Sequence, residues 1–200
     1  MLYWLDLFGV FVFAVSGSLA ADKRGMDIFG FIVIALITAV GGGTVRDITL
    51  DAPVFWVQNA IYLWLIIAAA LLTYIADHIF EKVERWLLWA DAIGLSVFCV
   101  AGAAKALALT GSPTIAVAMG VVTAVFGGVV RDVVCNEVPL VLRQDIYATA
   151  AFAGALSFVL LIQFDLLPRP IAIWVATAVC FVVRASALVW GWSLPRRKGE

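Results

Sequence analysis

An arginine and an aspartate stand side by side at two places, Arg46–Asp47 and Arg131–Asp132, each just after a run of glycines. The strings read GGGTVRD at 41–47 and FGGVVRD at 126–132, and the first follows the apolar run FIVIALITAV. An ionisable side chain in the middle of a membrane span costs about 2.5–3.5 kcal/mol on insertion scales, and such residues mark ion paths or buried pairs. Glycine weakens a helix interior by about 1 kcal/mol relative to alanine. Gly41, Gly42 and Gly43, and then Gly127 and Gly128, therefore predict a kink or break, whose freed backbone groups need protein or water partners. Close helix packing is the other use of such glycines. Successive helical residues point about 100° apart. Arginine and aspartate are thus not expected to face each other well, and each of the two is expected to find another partner. The pattern describes a polar pathway with a charged mouth at each end, carrying Arg46, Asp47, Arg131 and Asp132. Ser16, Thr38, Thr44 and Thr123 offer hydroxyls to the same axis, although such hydroxyls also bond back to their own helix. Lys105 offers a cation. Asp6 and Asp91 read as ordinary helix N-terminal acids, Arg184 as a snorkelling cation and His78 as a solvated link residue.

These residues must be held by elements suited to lipid. Of the 200 residues, 64% are hydrophobic and 14% charged, against about 45–50% and 25% in soluble proteins. The chain is an all-α integral membrane protein with no room for a separate soluble domain. Its net charge of −1 gives no electrostatic footprint for nucleic acid. Cys99, Cys135 and Cys180 read as small buried apolar residues, without metal-ligand spacing or a disulfide framework. No metal constellation, nucleophile–base set or phosphate loop appears, so neither an enzyme nor a cofactor is expected. The run from Leu7 to Ala21 ends in SLAA, but Asp6 stands where a cleaved signal would carry basic residues. It reads as a retained first span.

A spanning helix needs about 20 mainly apolar residues. Seven stretches qualify: 3–21, 28–50, 54–76, 87–109, 113–134, 146–164 and 170–192. The side reached after spans 1, 3, 5 and 7 carries Lys23, Arg24, Lys82, Arg85, Arg143, Arg196, Arg197 and Lys198, whereas the other carries only Arg169 outside the spans. The positive excess marks the cytoplasmic side of a bacterial-type inner membrane. The N-terminus is then outside and the C-terminus inside.

The chain repeats itself. An offset of 85 residues superimposes Arg46 on Arg131 and Asp47 on Asp132, and likewise Asp6 on Asp91, Gly17 on Gly102 and Thr38 on Thr123. From 6 to 49, 15 of 44 positions match without a gap. A one-residue slip then aligns Pro53 with Pro139 and Gln58 with Gln144. Three spans per unit is an odd number, so the second unit must run inverted to the first, as in many transport proteins. The units are residues 1–85 and 86–167, with 168–200 forming a seventh helix and a basic tail.

The doubled glycine–Arg–Asp motif, FGGVVRDVVCNEVP and the three-plus-three-plus-one layout resemble the bacterial and archaeal trimeric intracellular cation (TRIC) channels. Their older family is labelled UPF0126, with a domain called "glycine transporter". Membership implies a homotrimer among membrane lipids, with an hourglass pore in each subunit permeable to potassium and less selectively to sodium. It implies kinked second and fifth spans lining that pore at Gly41, Gly42, Gly43, Gly127 and Gly128. No metal is resident beyond a transient potassium ion near Gly41, Gly42 and Gly43. This chain departs from the pattern at Phe126, where a third glycine is expected; its ring would soften the kink or narrow the pore. Animal relatives carry Lys–Glu in place of Arg–Asp, so their lipid and calcium regulation is not carried over. The competing reading is a carrier of a small zwitterion such as glycine, held between arginine and aspartate.

Overall fold

A computed structural model describes residues 2–76, 83–143 and 146–193. His78, Lys82, Gln144, Arg196, Arg197 and Lys198 lie outside the described residues. The described elements are helices: α1 (Leu2–Lys23), α2 (Ile28–Thr49), α3 (Phe55–Gln58), α4 (Ile61–Ile75), α5 (Val83–Thr110), α6 (Pro113–Val134), α7 (Leu140–Arg143), α8 (Ala148–Gln163) and α9 (Arg169–Trp190). Helices α1, α2, α5, α6 and α9 are long and apolar enough to cross a membrane. The stretch expected as a span over 54–76 is divided into the one-turn helix α3 and the apolar helix α4 of 15 residues. The stretch over 146–164 holds the 16-residue α8, and the one-turn α7 lies ahead of it, outside the expected span. The Asn59 side chain accepts from Ile61 N at 3.1 Å and starts α4 afresh. Helix α5 begins at Val83, ahead of the expected division between residues 85 and 86.

The 85-residue offset is built into the hydrogen bonds. Asp27 caps α2 by accepting from Gly30 N, and Ser112 caps α6 by accepting from Ile115 N. Both helices end in the same turn, with Asp51 and Asn136 in the left-handed region at φ 50° and 52°. Asp47 Oδ2 then accepts from Phe55 N at 3.1 Å, and Asp132 Oδ2 from Leu140 N at 2.8 Å. These bonds start α3 and α7, again 85 residues apart. The expected slip at the prolines is therefore corrected. Pro139 O accepts from Leu142 N and Arg143 N just as Val54 O accepts from Val57 N and Gln58 N. Pro139 thus stands opposite Val54, and the offset stays at 85 through the short helices.

Helix α1 packs on α2, α4 and α5; α5 packs on α6, α8 and α1; α2 and α6 pack on each other. The contacts between the halves are reciprocal. Gly42 lies against the Thr123 carbonyl, and Gly127 against the Thr38 carbonyl. Gly9 lies against Phe98, and Gly94 against Phe13, with the two phenyl rings 5.1 Å apart. Going up α2 from 38 to 42 goes down α6 from 127 to 123, so these partners run antiparallel and their contacts are reciprocal. α9, the additional helix, packs on α5 and α8.

The expected break at the glycines does not occur. α2 runs unbroken through Gly41–Gly43, and α6 through Gly127–Gly128. The absence of a Cβ at Gly42 and Gly127 serves backbone-to-backbone packing of α2 on α6, which small residues permit. Gly43 makes room for the Phe55 ring, and Gly128 for the Tyr147 hydroxyl. Phe126 does not stand in the crossing; its side chain is on the exposed face of α6.

Candidate functional site

Two clusters of charge occupy corresponding positions at opposite ends of the helix pair α2–α6. In each, the arginine reaches its neighbour after all. Arg46 Nε donates to Asp47 Oδ1 at 2.7 Å, and Arg131 Nε to Asp132 Oδ1 at 2.8 Å. The long guanidinium arm overcomes the angular offset that the helix imposes on adjacent side chains. Both aspartates also take the extra partner expected of them, through the short-helix amides and, for Asp47, through Lys105 Nζ at 2.8 Å.

Beyond this the clusters differ. In the first half, Asp6 Oδ2 accepts from the Tyr62 hydroxyl at 2.8 Å. Arg46 and Asp6 border a cavity of about 280 Å³, lined also by Tyr3, Ala101, Lys105 and Arg169. In the second half, Arg131 Nη1 donates to Asp91 Oδ1 at 2.7 Å and to Ser16 Oγ at 2.6 Å. Arg131, Asp91 and Ser16 are fully buried. Ser16 is the counterpart of Ala101, and Leu19 of Ala104. Arg131 therefore fills the place that corresponds to the first cavity.

Thr38 and Thr123 are buried at the crossing and donate to Ile34 O and Met119 O, each at 2.6 Å. Thr44 donates to Val40 O and accepts from Trp56 Nε1 at 3.0 Å. Their donors are directed to their own helices. Arg184 does not snorkel. It is fully buried, its guanidinium lies 4.9 Å over the Tyr147 ring, and Nη1 donates to Ile146 O at 3.1 Å. Asp6 and Asp91 are therefore not simple end acids but hold Tyr62 and Arg131, and Tyr62 and Tyr147 stand outside the sequence motifs. The signal was present: Tyr62 and Tyr147 keep the 85-residue offset.

The end of the bundle nearer Asp132 is tied by exposed charges. Glu137 meets Arg24 Nη2 at 2.7 Å, Lys23 Nζ at 3.3 Å and Arg143 Nη1 at 3.8 Å. The Lys23 ammonium holds the Glu137 carboxyl below its ordinary range, with Arg24 and Arg143 adding to the effect. Lys23 also reaches Glu84 at 3.4 Å. α1 thus runs from Asp6 at the cavity end to Lys23 here, and α5 runs back from Glu84 to Lys105. Among the described residues, no group of three His, Cys, Asp or Glu side chains is placed to hold a metal ion.

The family model described as "Glycine transporter" matches the chain twice, over residues 3–78 and 88–163. The UPF0126 inner membrane protein YadS of Escherichia coli (strain K12) is 41% identical over 197 residues, covering 98% of this chain and 95% of that protein. The solved TRIC trimeric intracellular cation channel orthologue from Rhodobacter sphaeroides superimposes with a TM-score of 0.92 and 46% identity, covering 96% of this chain and 98% of that one. A second solved TRIC cation channel gives a TM-score of 0.87 and 36% identity, over 98% and 97% of the two chains. The chain is a multi-pass membrane protein and belongs to the TRIC/UPF0126 family.

Proposed function

We propose that the protein is a homotrimeric channel for monovalent cations, potassium above all, with one pathway in each subunit. The observation that carries this is the likeness of the whole chain to solved TRIC cation channels at up to 46% identity. Seven spans cross an inner membrane, six of them as two inverted units of residues 1–85 and 86–167. The antiparallel, reciprocal contacts of α1 with α5 and of α2 with α6 support that arrangement. The N-terminus is outside, and the Glu137 lattice faces the cytoplasm. The pathway runs beside the α2–α6 crossing and joins the outer cavity to the Arg131 cluster, which is closed in this conformation. At the outer mouth Arg46, Lys105 and Arg169 face Asp6. The path therefore conducts cations only where Asp47 neutralises part of that charge.

One observation favours a second reading. Asp6 and Arg46 border the same cavity, and between them they could hold the ammonium and carboxylate of a small amino acid. Planar-bilayer recording of the purified protein separates the two. Unitary potassium currents are expected. Silent bilayers, together with saturable, gradient-coupled glycine uptake into vesicles, would replace the channel with a carrier.

A further inference from the structure

We infer that the first-half cavity binds a small monocarboxylate from solution, in the place that Asp91 fills in the second half, and that the bound anion favours cation entry. The effect on cation entry rests on the channel reading above; the binding site does not.

The second half shows what an arginine at this position takes as partners. Arg131 donates to Asp91 Oδ1 at 2.7 Å and to Ser16 Oγ at 2.6 Å, besides its bond to Asp132. The first half lacks both acceptors. The counterpart of Ser16 is Ala101, and the counterpart of Asp91 is Asp6, whose Oδ2 is held by the Tyr62 hydroxyl at 2.8 Å. Arg46 spends its Nε on Asp47 at 2.7 Å and lays its guanidinium 5.9 Å over the Phe55 ring. Among the described residues neither Nη group of Arg46 has a hydrogen-bond partner. The space beside it is the cavity of about 280 Å³.

The charges around that space favour an anion. Arg46, Lys105 and Arg169 line it against Asp6. Asp47, behind the wall, is already occupied. Its Oδ1 takes Arg46 Nε and Lys105 Nζ at 2.7 and 2.8 Å, and its Oδ2 takes Phe55 N at 3.1 Å. Three cations against two carboxylates leave one positive charge, which one monovalent anion neutralises. The planar fork of an arginine pairs with a carboxylate through two parallel N–H bonds. The Tyr3 hydroxyl, also in the wall, accepts from Asn59 Nδ2 at 3.3 Å and keeps its own proton to donate. A cavity of this size takes a two-carbon acid with a few waters. Bound there, the carboxylate lowers the positive potential that Arg46, Lys105 and Arg169 set up, and cations concentrate at the mouth.

Two measurements on the full chain test the site. The first needs no current. At constant total potassium, lactobionate, a disaccharide acid too large for the cavity, is replaced stepwise by acetate while the unfolding temperature is followed. The temperature should rise and saturate, as for a ligand that binds only the folded state. Lys105→Met with Arg169→Gln should raise the acetate concentration for half the effect at least tenfold; both side chains reach solvent, and the buried Arg46–Asp47 pair is kept. No rise with acetate, or an unchanged midpoint in the double variant, would overturn the site. A rise with glycine and none with acetate would overturn it in favour of a zwitterion. In the second measurement, potassium current across planar bilayers should be several-fold larger in acetate than in lactobionate at the same potassium concentration. An acetate gradient at equal potassium should leave the reversal potential at zero. Equal currents with acetate bound would overturn the effect on cation entry. Saturable acetate binding with silent bilayers would sustain the site and overturn the channel reading.

Discussion

Arg131 and Asp91 form an ion pair of 2.7 Å in which both side chains are fully buried. Their counterparts Arg46 and Asp6 are not joined in this way. Removing one partner of a buried pair leaves an uncompensated charge and costs about 3–5 kcal/mol. Asp91→Asn should therefore destabilise the protein by about that much. Asp6→Asn should cost only about 1 kcal/mol, because the amide oxygen still accepts from Tyr62. Thermal unfolding in one detergent would rank the two variants, and equal losses would mean that the Arg131–Asp91 pair is not the tie described.

The glycines make a second contrast. An alanine Cβ at Gly42 or Gly127 would collide with the carbonyl of Thr123 or Thr38, a backbone group that cannot swing aside. At Gly41 the nearest atom is Gly127 Cα at 3.6 Å, an ordinary contact. Overpacking of this kind costs about 1–3 kcal/mol. Gly42→Ala and Gly127→Ala should each lose that much stability, while Gly41→Ala should lose almost none. A larger pair of substitutions, Gly42→Leu with Gly127→Leu, should part α2 from α6 and fail to assemble, rather than simply narrow a pore. Size-exclusion profiles of the four variants would show whether the crossing is as tight as the geometry requires.

The sequence shows what repeats but not which way each repeat has settled. The offset of 85 residues was legible from Asp6, Gly17, Thr38, Arg46 and Asp47, because those side chains serve the same contacts in both halves. The one-turn helix α3 was hidden inside an apolar span, and α7 lay in the link ahead of the next one. Only the carboxylates of Asp47 and Asp132, eight residues upstream, mark where they begin. The glycines were legible as special but not as unbroken. Intrinsic propensity favours a break, and the approach of a second backbone overrides it. Asp6 and Asp91 looked like end acids because their partners Tyr62 and Arg131 lie 56 and 40 residues away. The difference between the halves depends on Ser16 against Ala101 and Lys105 against Ala20, substitutions that acquire meaning only once the helices are packed.

Lys105 adds a cation to the wall of the first-half cavity. It lines the cavity with Arg46 and Arg169, and its ammonium also occupies Asp47. Lys105→Met removes one cation from the wall and returns a full carboxylate charge to the Arg46 pair. Potassium current at low salt should rise several-fold. At about 1 M salt the Debye length falls to ~3 Å, and the gain should largely disappear. Current–voltage curves at two ionic strengths would decide this. A gain that persists at high salt would point to a steric rather than an electrostatic effect.

Glu137 provides a test of the face opposite the cavity. Its carboxyl is held below the ordinary value of 4.5 by Lys23 first and by Arg24 and Arg143 after it. A depressed folded value means that the lattice adds stability above the unfolded value and loses it as pH falls through the lower, folded one. These charges are open to solvent and screened, so the contribution is small. Glu137→Gln should lower the unfolding temperature slightly at pH 7 in dilute buffer. The gap between variant and parent should close below about pH 4 as the parent carboxyl is protonated, and it should also close at high salt. The same variant should leave the thermal cost of Asp91→Asn unchanged, since one site lies in solvent and the other is buried beneath it. A non-additive double variant would mean that the surface lattice and the buried ion pair hold the second half closed together.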